Sequence, residues 1–550
     1  MESLVRSILL ASAALTVATA AHADLLISAK PSHDVSCVSG VCTATAKNAN
    51  LNVSELESLL ADGDATVRFG GGASAIQVVN GFSWGSTSLL TLDANTSVGF
   101  HKPVFVNGGG AFSLIYDDGG TTGDLKFSDQ GRIDFLSPAS SRLTINGNSY
   151  VLLTNIKSLA KSVANNPRGL FALAQDYDAA ADGKYKASPI SAAVGGIVEG
   201  LGHAVRNLKI SSSNSAATAF IANILAGGAV RDLAITDARI SSKGGDNNVA
   251  VVGSLAGTNN GALVGISSSG SLTVQGAVPT ESVGGLAGMV GGLVERSSST
   301  MRVYVRGPEG GVYGTVGGLA GYVTETALID HSFESGPVTA VGITEVGGLV
   351  GENHGTISFS HAAGAASSSI QWVGGLVGVN SSGILTNDYA TGTVTVGGGV
   401  ASPCGFAAGG LVGVSGNFSS KSYVHVIDDS YATGSVIGGP SSCIGGLVGD
   451  YYGRFISSTN SYSVGALSRG GGIAGYGRDL RRAVFQSMYW DRDTSGTDWA
   501  FGNKHGEGGV KGLTDAQMKS GLPEGFDPNI WGSNPNINNG YPYLLANPPQ

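Results

Sequence analysis

The sequence predicts an all-β solenoid, a stack of coils built from short strands, with short helical excursions and a C-terminal cap. Three observations lead there. Glycine supplies 87 of 550 residues and only 13% are charged, against ~7% and ~25% in an ordinary soluble domain. Each glycine costs a helix about 1 kcal/mol relative to alanine, so this density argues against helices. The segment Val-Gly-Gly-Leu-(Val/Ala)-Gly recurs, with its leucine at Leu255, Leu286, Leu319, Leu349, Leu376, Leu411 and Leu447 and its last copy at Ile473. Its steps of 26 to 36 residues fall inside the ~20–50 residue window of solenoids and repeat arrays. Between these blocks stand short runs of Ser, Thr, Val and Tyr broken by Gly and Asn, the composition of strands and tight corners.

Composition excludes several classes. Glycine and proline together, 87 and 16 residues, stay below the ~25–30% of a disordered low-complexity chain, and 42% apolar residues suffice for a long core. Glycine has no strict third-residue period, so the chain is not collagen-like. The net charge is −9 and the basic residues are scattered along the chain, which argues against a phosphate-binding face and a nucleic-acid partner.

In chain order, residues 1–23 read as an export signal. Arg6 supplies the positive end, Ile8 to Ala21 the apolar stretch, and Ala21-His22-Ala23 the cleavage site. No later segment has ~18 or more uninterrupted apolar residues, so no transmembrane helix is expected in the mature chain. Residues 24–155 form an N-terminal region with a short helix over Val53 to Leu60. A connector over 156–190 holds a second helix, Ile156 to Val163. Residues 191–476 are the repeat solenoid, one coil per repeat with two or three strands each. The remainder, 477–550, is a polar capping unit over the last apolar coil. In it Thr514-Asp515-Ala516-Gln517 has capping-box spacing, and Gly521 is the expected terminator.

A second repeated element carries an aromatic residue at Tyr389, Tyr431 and Tyr462, with weaker copies at Phe333 and His361. The gap from Leu411 to Tyr431 is the longest and contains Gly416-Asn417-Phe418-Ser419-Ser420, which reads as a loop insertion. Strand alternation places Val373, Gly375 and Val377 on one face and Gly374, Leu376 and Gly378 on the other. A leucine flanked by glycines can stack on the leucine of the next coil. Asn387, Asp429 and Asn460 occupy matching places two residues before the tyrosines and read as a ladder of stacked side chains, with a catalytic carboxylate group as the alternative.

Four cysteines fall into two pairs. Cys37 and Cys42 form a local clip, with zinc as the competing reading. Cys404 and Cys443 lie seven and four residues before Leu411 and Leu447, on adjacent coils. A disulfide follows from the ~4.8 Å spacing of stacked strands, with free thiols as the alternative. Pro403 and Pro440 mark both segments as loops.

Other chemistry has bland readings. Gly81-Phe82-Ser83-Trp84-Gly85 matches a hydrolase elbow, but strand-like Leu89 to Leu92 follows where a helix is required. Asp491, Asp493, Ser495 and Gly496 mimic a calcium loop, but Gly502 stands where the bidentate Glu belongs, so a turn is expected. No His-Glu-x-x-His and no phosphate loop occurs, and no cofactor or metal is expected. Asp388, Asp428 and Asp429 are the only close carboxylates seen on the repeats.

Gly-Gly-Leu-Val-Gly at 374–378 and Ser-Tyr-Ala-Thr-Gly at 430–434 resemble the GLUG repeat of bacterial secreted and surface proteins. The segment 198–208, Val-Glu-Gly-Leu-Gly-His-Ala-Val-Arg-Asn-Leu, resembles the lead-in to such arrays. Residues 35–155, with Gly-Val-Cys-Thr-Ala-Thr-Ala at 40–46 and Gly-Arg-Ile-Asp-Phe at 131–135, are similar to filamentous-haemagglutinin-like exoproteins. Tyr489 to Gly496 and Gly540-Tyr541-Pro542-Tyr543-Leu544 look like the usual terminal unit. The resemblance implies a right-handed parallel β-helix, exported by Gram-negative bacteria to the medium or outer surface and often adhesive. The Asn-Pro-Asn-Gly motif of two-partner secretion is absent near the N-terminus, and Asn534-Pro535-Asn536 lies at the other end.

The functional expectation is therefore a non-enzymatic secreted or cell-surface β-helix acting in adhesion or cell-envelope interaction. Its partners would be a host-cell, glycan or envelope surface, with an outer-membrane transporter for export. A periplasmic location is the alternative. The other function classes are a polysaccharide-active β-helix enzyme and the binding component of a larger secreted machine.

Overall fold

The computed structural model describes residues 24–549, apart from 118–122, 129, 214–215, 244–249, 277–280, 309–310, 399–403, 417–423, 454–455, 479, 505 and 507. The signal segment 1–23, Pro403 and most of the insertion at 416–420 lie outside the described residues. The chain divides into two compact units, up to Leu152 and from Leu153.

The first unit is a parallel β-helix. Ala75–Val78, Val98–Phe100 and Leu125–Phe127 stack in one sheet, Phe82–Trp84, Pro103–Val106 and Arg132–Phe135 in a second, and Ala65–Arg68, Leu89–Asp93 and Ala111–Ile115 in a third. Alternate residues such as Ile76, Trp84, Leu90 and Leu92 fill the interior. The expected helix runs Val53–Asp62, is capped by the Asn52 side chain and buries Leu56 and Leu60. Cys37 lies opposite Cys42 in an antiparallel hairpin and the two are disulfide-bonded, with Cα atoms 4.0 Å apart. The Gly81–Gly85 segment holds the strand Phe82–Trp84, followed by the strand Leu89–Asp93. Ser83 therefore has no elbow.

The second unit begins with the helix Ile156–Asn165 and continues as a second parallel β-helix. Stacking starts ahead of residue 191, because Leu170–Leu173 already pairs with Ile197–Glu199. It also runs past 476, since Tyr462–Ser463 pairs with Met488–Asp491 and that strand with Val510–Leu513. The coils have four or five short strands, where two or three were expected. One coil comprises Ile343–Gly347, Val350–Asn353, Thr356–Ser358, His361–Ala362 and Ala366–Ser368. The excess reflects the glycines, which bend the chain every few residues.

The leucines form a continuous ladder. Leu319 N–H donates to the Leu349 carbonyl at 2.9 Å, Leu349 to Leu376 at 2.9 Å, Leu376 to Leu411 at 2.8 Å and Leu411 to Leu447 at 2.9 Å. All eight ladder side chains, Leu255 to Ile473, are fully buried, each a contribution of about 1.5–3 kcal/mol. Simple alternation fails at this corner. Val373, Leu376 and Val377 all enter the same core, because the Gly-Gly turn redirects the chain between strands. A Cβ at Gly375 would drive into the Gly410 carbonyl oxygen and press on the Ala390 Cβ, so close approach of coils requires glycine there.

At the other corner Asn387, Asp429 and Asn460 have φ of 59°, 44° and 49°. Left-handed backbone is what Asn and Asp tolerate. This conformation, more than side-chain stacking, accounts for them. The stacked ladder next to them is built of serines. Ser332 N donates to Ser360 Oγ, Ser360 N to Asp388 Oδ1, Asp388 N to Ser430 Oγ and Ser430 N to Ser461 Oγ, at 2.8–3.2 Å.

Candidate functional site

An outward-facing polar surface of the second unit is built by the strands Lys209–Ser213, Ala234–Lys243, Ser267–Gln275 and Arg302–Arg306 of four coils. Their alternation is regular. Ile210, Ile240, Leu272 and Val303 point into the core and are buried, so the residues on either side point out. Parallel register then aligns three outward columns. Lys209, Arg239, Ser271 and Arg302 form one, Ser211, Ser241, Thr273 and Tyr304 the second, and Ser213, Lys243, Gln275 and Arg306 the third. One coil earlier, Tyr185 bridges to Ile210, and exposed Lys184 and Lys186 flank it. On the following coil the charge stops, with Thr339 and Val341 in place of Tyr304 and Arg306.

Seven cations thus share one face of a chain with net charge −9. None of them makes an ion pair among the described residues, although Lys209 lies within the field of Asp178. A shallow depression of about 310 Å³ lies on the same face, lined by Ser211, Ser213, Ser241, Lys243, Thr273 and Gln275 among others. This corrects the expectation of scattered basic residues. They are scattered in sequence and collected by register. The signal was present in Arg239-Ile-Ser-Ser-Lys243 and Arg302-Val-Tyr-Val-Arg306, alternating strands separated by two repeat steps.

The sequence also missed a pair of carboxylates. Glu345, just before a Gly-Gly-Leu block, lies within the field of Glu352, just after it. Both are buried. Glu352 accepts from Tyr313 Oη at 2.7 Å and Ser381 Oγ at 2.7 Å, and its Oε1 lies 2.8 Å from His354 Nε2. Burial and the neighbouring Glu352 charge hold Glu345 protonated well above the usual carboxylate range. Burial also opposes ionisation of Glu352, but the His354, Tyr313 and Ser381 contacts outweigh it and keep its value below normal. The expectation that Asp388, Asp428 and Asp429 were the only close carboxylates is therefore overturned.

Those three aspartates are enclosed. Asp388 is fully buried in the serine ladder. Asp428 accepts from Thr459, and Asp429 from the Trp531 indole. Tyr389, Tyr431 and Tyr462 stack face to face with centroids 5.0 Å apart, and the stack continues through His361 to Phe333 at 4.5 and 5.1 Å. His361 is a packed repeat position, and burial pushes its value down to about 4. The C-terminal unit was expected to cover the last coil. It also lies along the flank, with Phe526, Trp531, Tyr541 and Leu544 packed on the tyrosines and Asn547 donating to the Ser360 and Asn387 carbonyls. Within it Thr514 forms the expected capping box, but the helix is only Asp515–Met518 and ends at Lys519, before Gly521. The calcium-loop mimic is a helical turn, Arg492–Ser495, capped by Asp491.

Cys404 and Cys443 are disulfide-bonded with Cα atoms 5.0 Å apart. Cys443 pairs in register with Ala407, so the three-residue offset is absorbed by the segment Cys404 occupies, where its φ is 65°.

No family model matches the chain. Over 331 residues, 54% of this chain, it is 27% identical to halomucin of Haloquadratum walsbyi, and spans 3% of the length of that relative. Among solved structures, an IgA1 protease is similar with a TM-score of 0.35 and 22% identity, covering 47% of this chain and 21% of that one. A Bacteroides ovatus protein assigned provisionally as an immunoglobulin A1 protease is similar with a TM-score of 0.30 and 16% identity, covering 72% and 93%. No described helix is long and apolar enough to cross a membrane.

Proposed function

We propose that this β-helix is a non-enzymatic exported protein of the GLUG-repeat, filamentous-haemagglutinin-like kind, acting in adhesion or cell-envelope interaction from the outer surface or medium. The observation that carries the reading is the basic face of consecutive coils, held open with no acidic partner among the described residues. Unpaired cations on a rigid sheet retain their full field for an external anion. Two disulfides support an oxidising compartment. Support for a non-catalytic role comes from the carboxylates. Glu345 and Glu352 are buried, as are Asp388 and Asp429, so these carboxyls are closed to a polysaccharide chain.

The test is adherence of the exported chain to host and bacterial cells, run beside a reducing-sugar release assay. Adherence without sugar release is the expected result. The enzyme reading is favoured by one observation, the neighbouring Glu345 and Glu352 whose values are pushed in opposite directions. Polysaccharide turnover abolished by Glu352→Gln would replace the adhesive reading.

A further inference from the structure

We infer that the basic face takes a linear acidic polysaccharide, laid along the stacking axis across the coils that carry Lys209 to Arg306. This rests on the surface-binding role proposed above and names the ligand of that site.

The grid of outward residues decides the ligand class. Its two flanking columns carry Lys209, Arg239 and Arg302 on one side and Lys243 and Arg306 on the other. The columns stand four residues apart along each strand, ~13 Å, and successive coils are ~4.8 Å apart. Arg239 and Lys243 share one coil, and Arg302 and Arg306 lie two coils on, so the four guanidinium and ammonium groups mark a rectangle of about 10 by 13 Å. Sugar residues of a linear glycan advance on the same length scale as the coils. Acid groups on alternate residues therefore meet Arg239 and Arg302 in turn, and arginine binds carboxylate or sulfate oxygens through paired N–H donors.

The central column suits the rest of the sugar. Ser211, Ser241 and Thr273 offer hydroxyls that both donate and accept, and they line the depression. Tyr304 ends the column with the grid's single ring, half-buried. A protein partner is disfavoured, because protein interfaces are centred on apolar and aromatic anchors and are poor in lysine. Single-stranded nucleic acid is disfavoured by the lack of a run of exposed rings for successive bases. Duplex nucleic acid is disfavoured because the face is a flat sheet with no element raised to enter a groove.

The test measures binding of the exported full chain to sodium polygalacturonate, with dextran as the neutral glycan and single-stranded DNA as a second polyanion. Arg239→Gln/Arg302→Gln is compared with Lys157→Gln/Lys161→Gln, an equal charge change on the exposed side of the helix Ile156–Asn165. The expected result is binding to polygalacturonate that weakens with salt, exceeds that to DNA, and drops on the order of tenfold or more only in the Arg239/Arg302 variant. Unchanged thermal unfolding of that variant establishes that it is folded. Retained binding in it, an equal loss in the Lys157/Lys161 variant, or equal binding of DNA each overturns the assignment. Cell adherence separates the two levels. If the Arg239/Arg302 variant keeps its polygalacturonate binding while the unmodified chain adheres to cells, the glycan assignment fails and the adhesive reading stands. If the unmodified chain holds polygalacturonate but adheres to no cell, only the adhesive reading fails.

Discussion

Trp531 donates its indole Nε1–H to Asp429 Oδ1 at 2.7 Å, joining residues 102 positions apart. The same ring lies 5.9 Å from Tyr431 and 5.8 Å from Tyr462. One side chain thus ties the C-terminal unit to the left-handed corner of a coil and to the aromatic stack beside it. Further along, Tyr462 donates to the Pro542 carbonyl at 2.6 Å, so the flank is fastened at several heights of the stack.

That contact sets a pH dependence. Burial and the charge of Asp428 push Asp429 up to about 7, although the Trp531 hydrogen bond pulls the other way. A carboxyl raised in the folded state favours folding below its unfolded value of ~3.9, and this contribution is lost as pH rises through about 7. Asp429→Asn keeps an acceptor for the indole and removes the titration. Calorimetric Tm values of the two proteins should agree near pH 4, and the variant should be the more stable at about pH 8. A constant difference across that range would show that Asp429 does not titrate between them.

Glycine in the Leu corner is required by space. Gly375→Ala places a methyl against the backbone oxygen of Gly410 and the side chain of Ala390, neither of which can swing aside. A loss of about 1–3 kcal/mol is expected for overpacking of this kind. At Gly85 an added Cβ meets nothing within 4 Å, so Gly85→Ala should leave stability within about 0.5 kcal/mol. Equal denaturation midpoints for the two variants would contradict the stacking geometry.

The Cys404–Cys443 bond closes 39 residues of chain, which on the chain-entropy model is worth about 4 kcal/mol. Cys404→Ser/Cys443→Ser should unfold earlier by that order and show the same midpoint with and without reductant at this site. Peptide mapping without reduction should recover Cys37 with Cys42 and Cys404 with Cys443. Any crossed pair would place the two coils in a different register.

The two buried glutamates should respond unequally. Burial and the neighbouring Glu352 raise Glu345 and favour its protonated form, so Glu345→Gln should change stability by less than about 1 kcal/mol at low pH. Glu352→Gln removes the charge that Tyr313, Ser381 and His354 share, and should cost about 1–3 kcal/mol. Because the folded-state value of Glu345 is raised, its contribution favours folding at low pH and fades as pH climbs above the usual carboxylate range. Chemical denaturation of both variants at two pH values would expose a symmetric response, which this arrangement forbids.

The stacked β architecture and the places where coils lock together were legible in the Gly-Gly-Leu and tyrosine repeats. A repeated Gly-Gly-Leu-(Val/Ala)-Gly fits a position needing a buried apolar group with glycines two residues to either side, and the recurring tyrosine marked a second stacked position on each coil. The same reasoning reached the Cys404–Cys443 bond, since equivalent positions in successive repeats must be neighbours. It did not reach the number of strands per coil or the common burial of Val373 and Leu376, because alternation holds only while the chain runs straight. It also read Asn387, Asp429 and Asn460 by their side chains, when backbone φ was the cause.

Which polar residues act together became visible once the coils were stacked in register. Lys209, Arg239 and Arg302 are dozens of residues apart in a chain of net negative charge, and nothing local distinguishes them from solvated surface. Parallel register brings them into one column, and the electrostatic field depends on distance in space. Glu345 and Glu352 sit on either side of a tight corner, and the opposite directions in which their values are pushed follow from burial, from the Tyr313 and Ser381 hydroxyls of other coils and from His354 beside Glu352. Such properties are sums over neighbours that the chain acquires only when its coils are stacked.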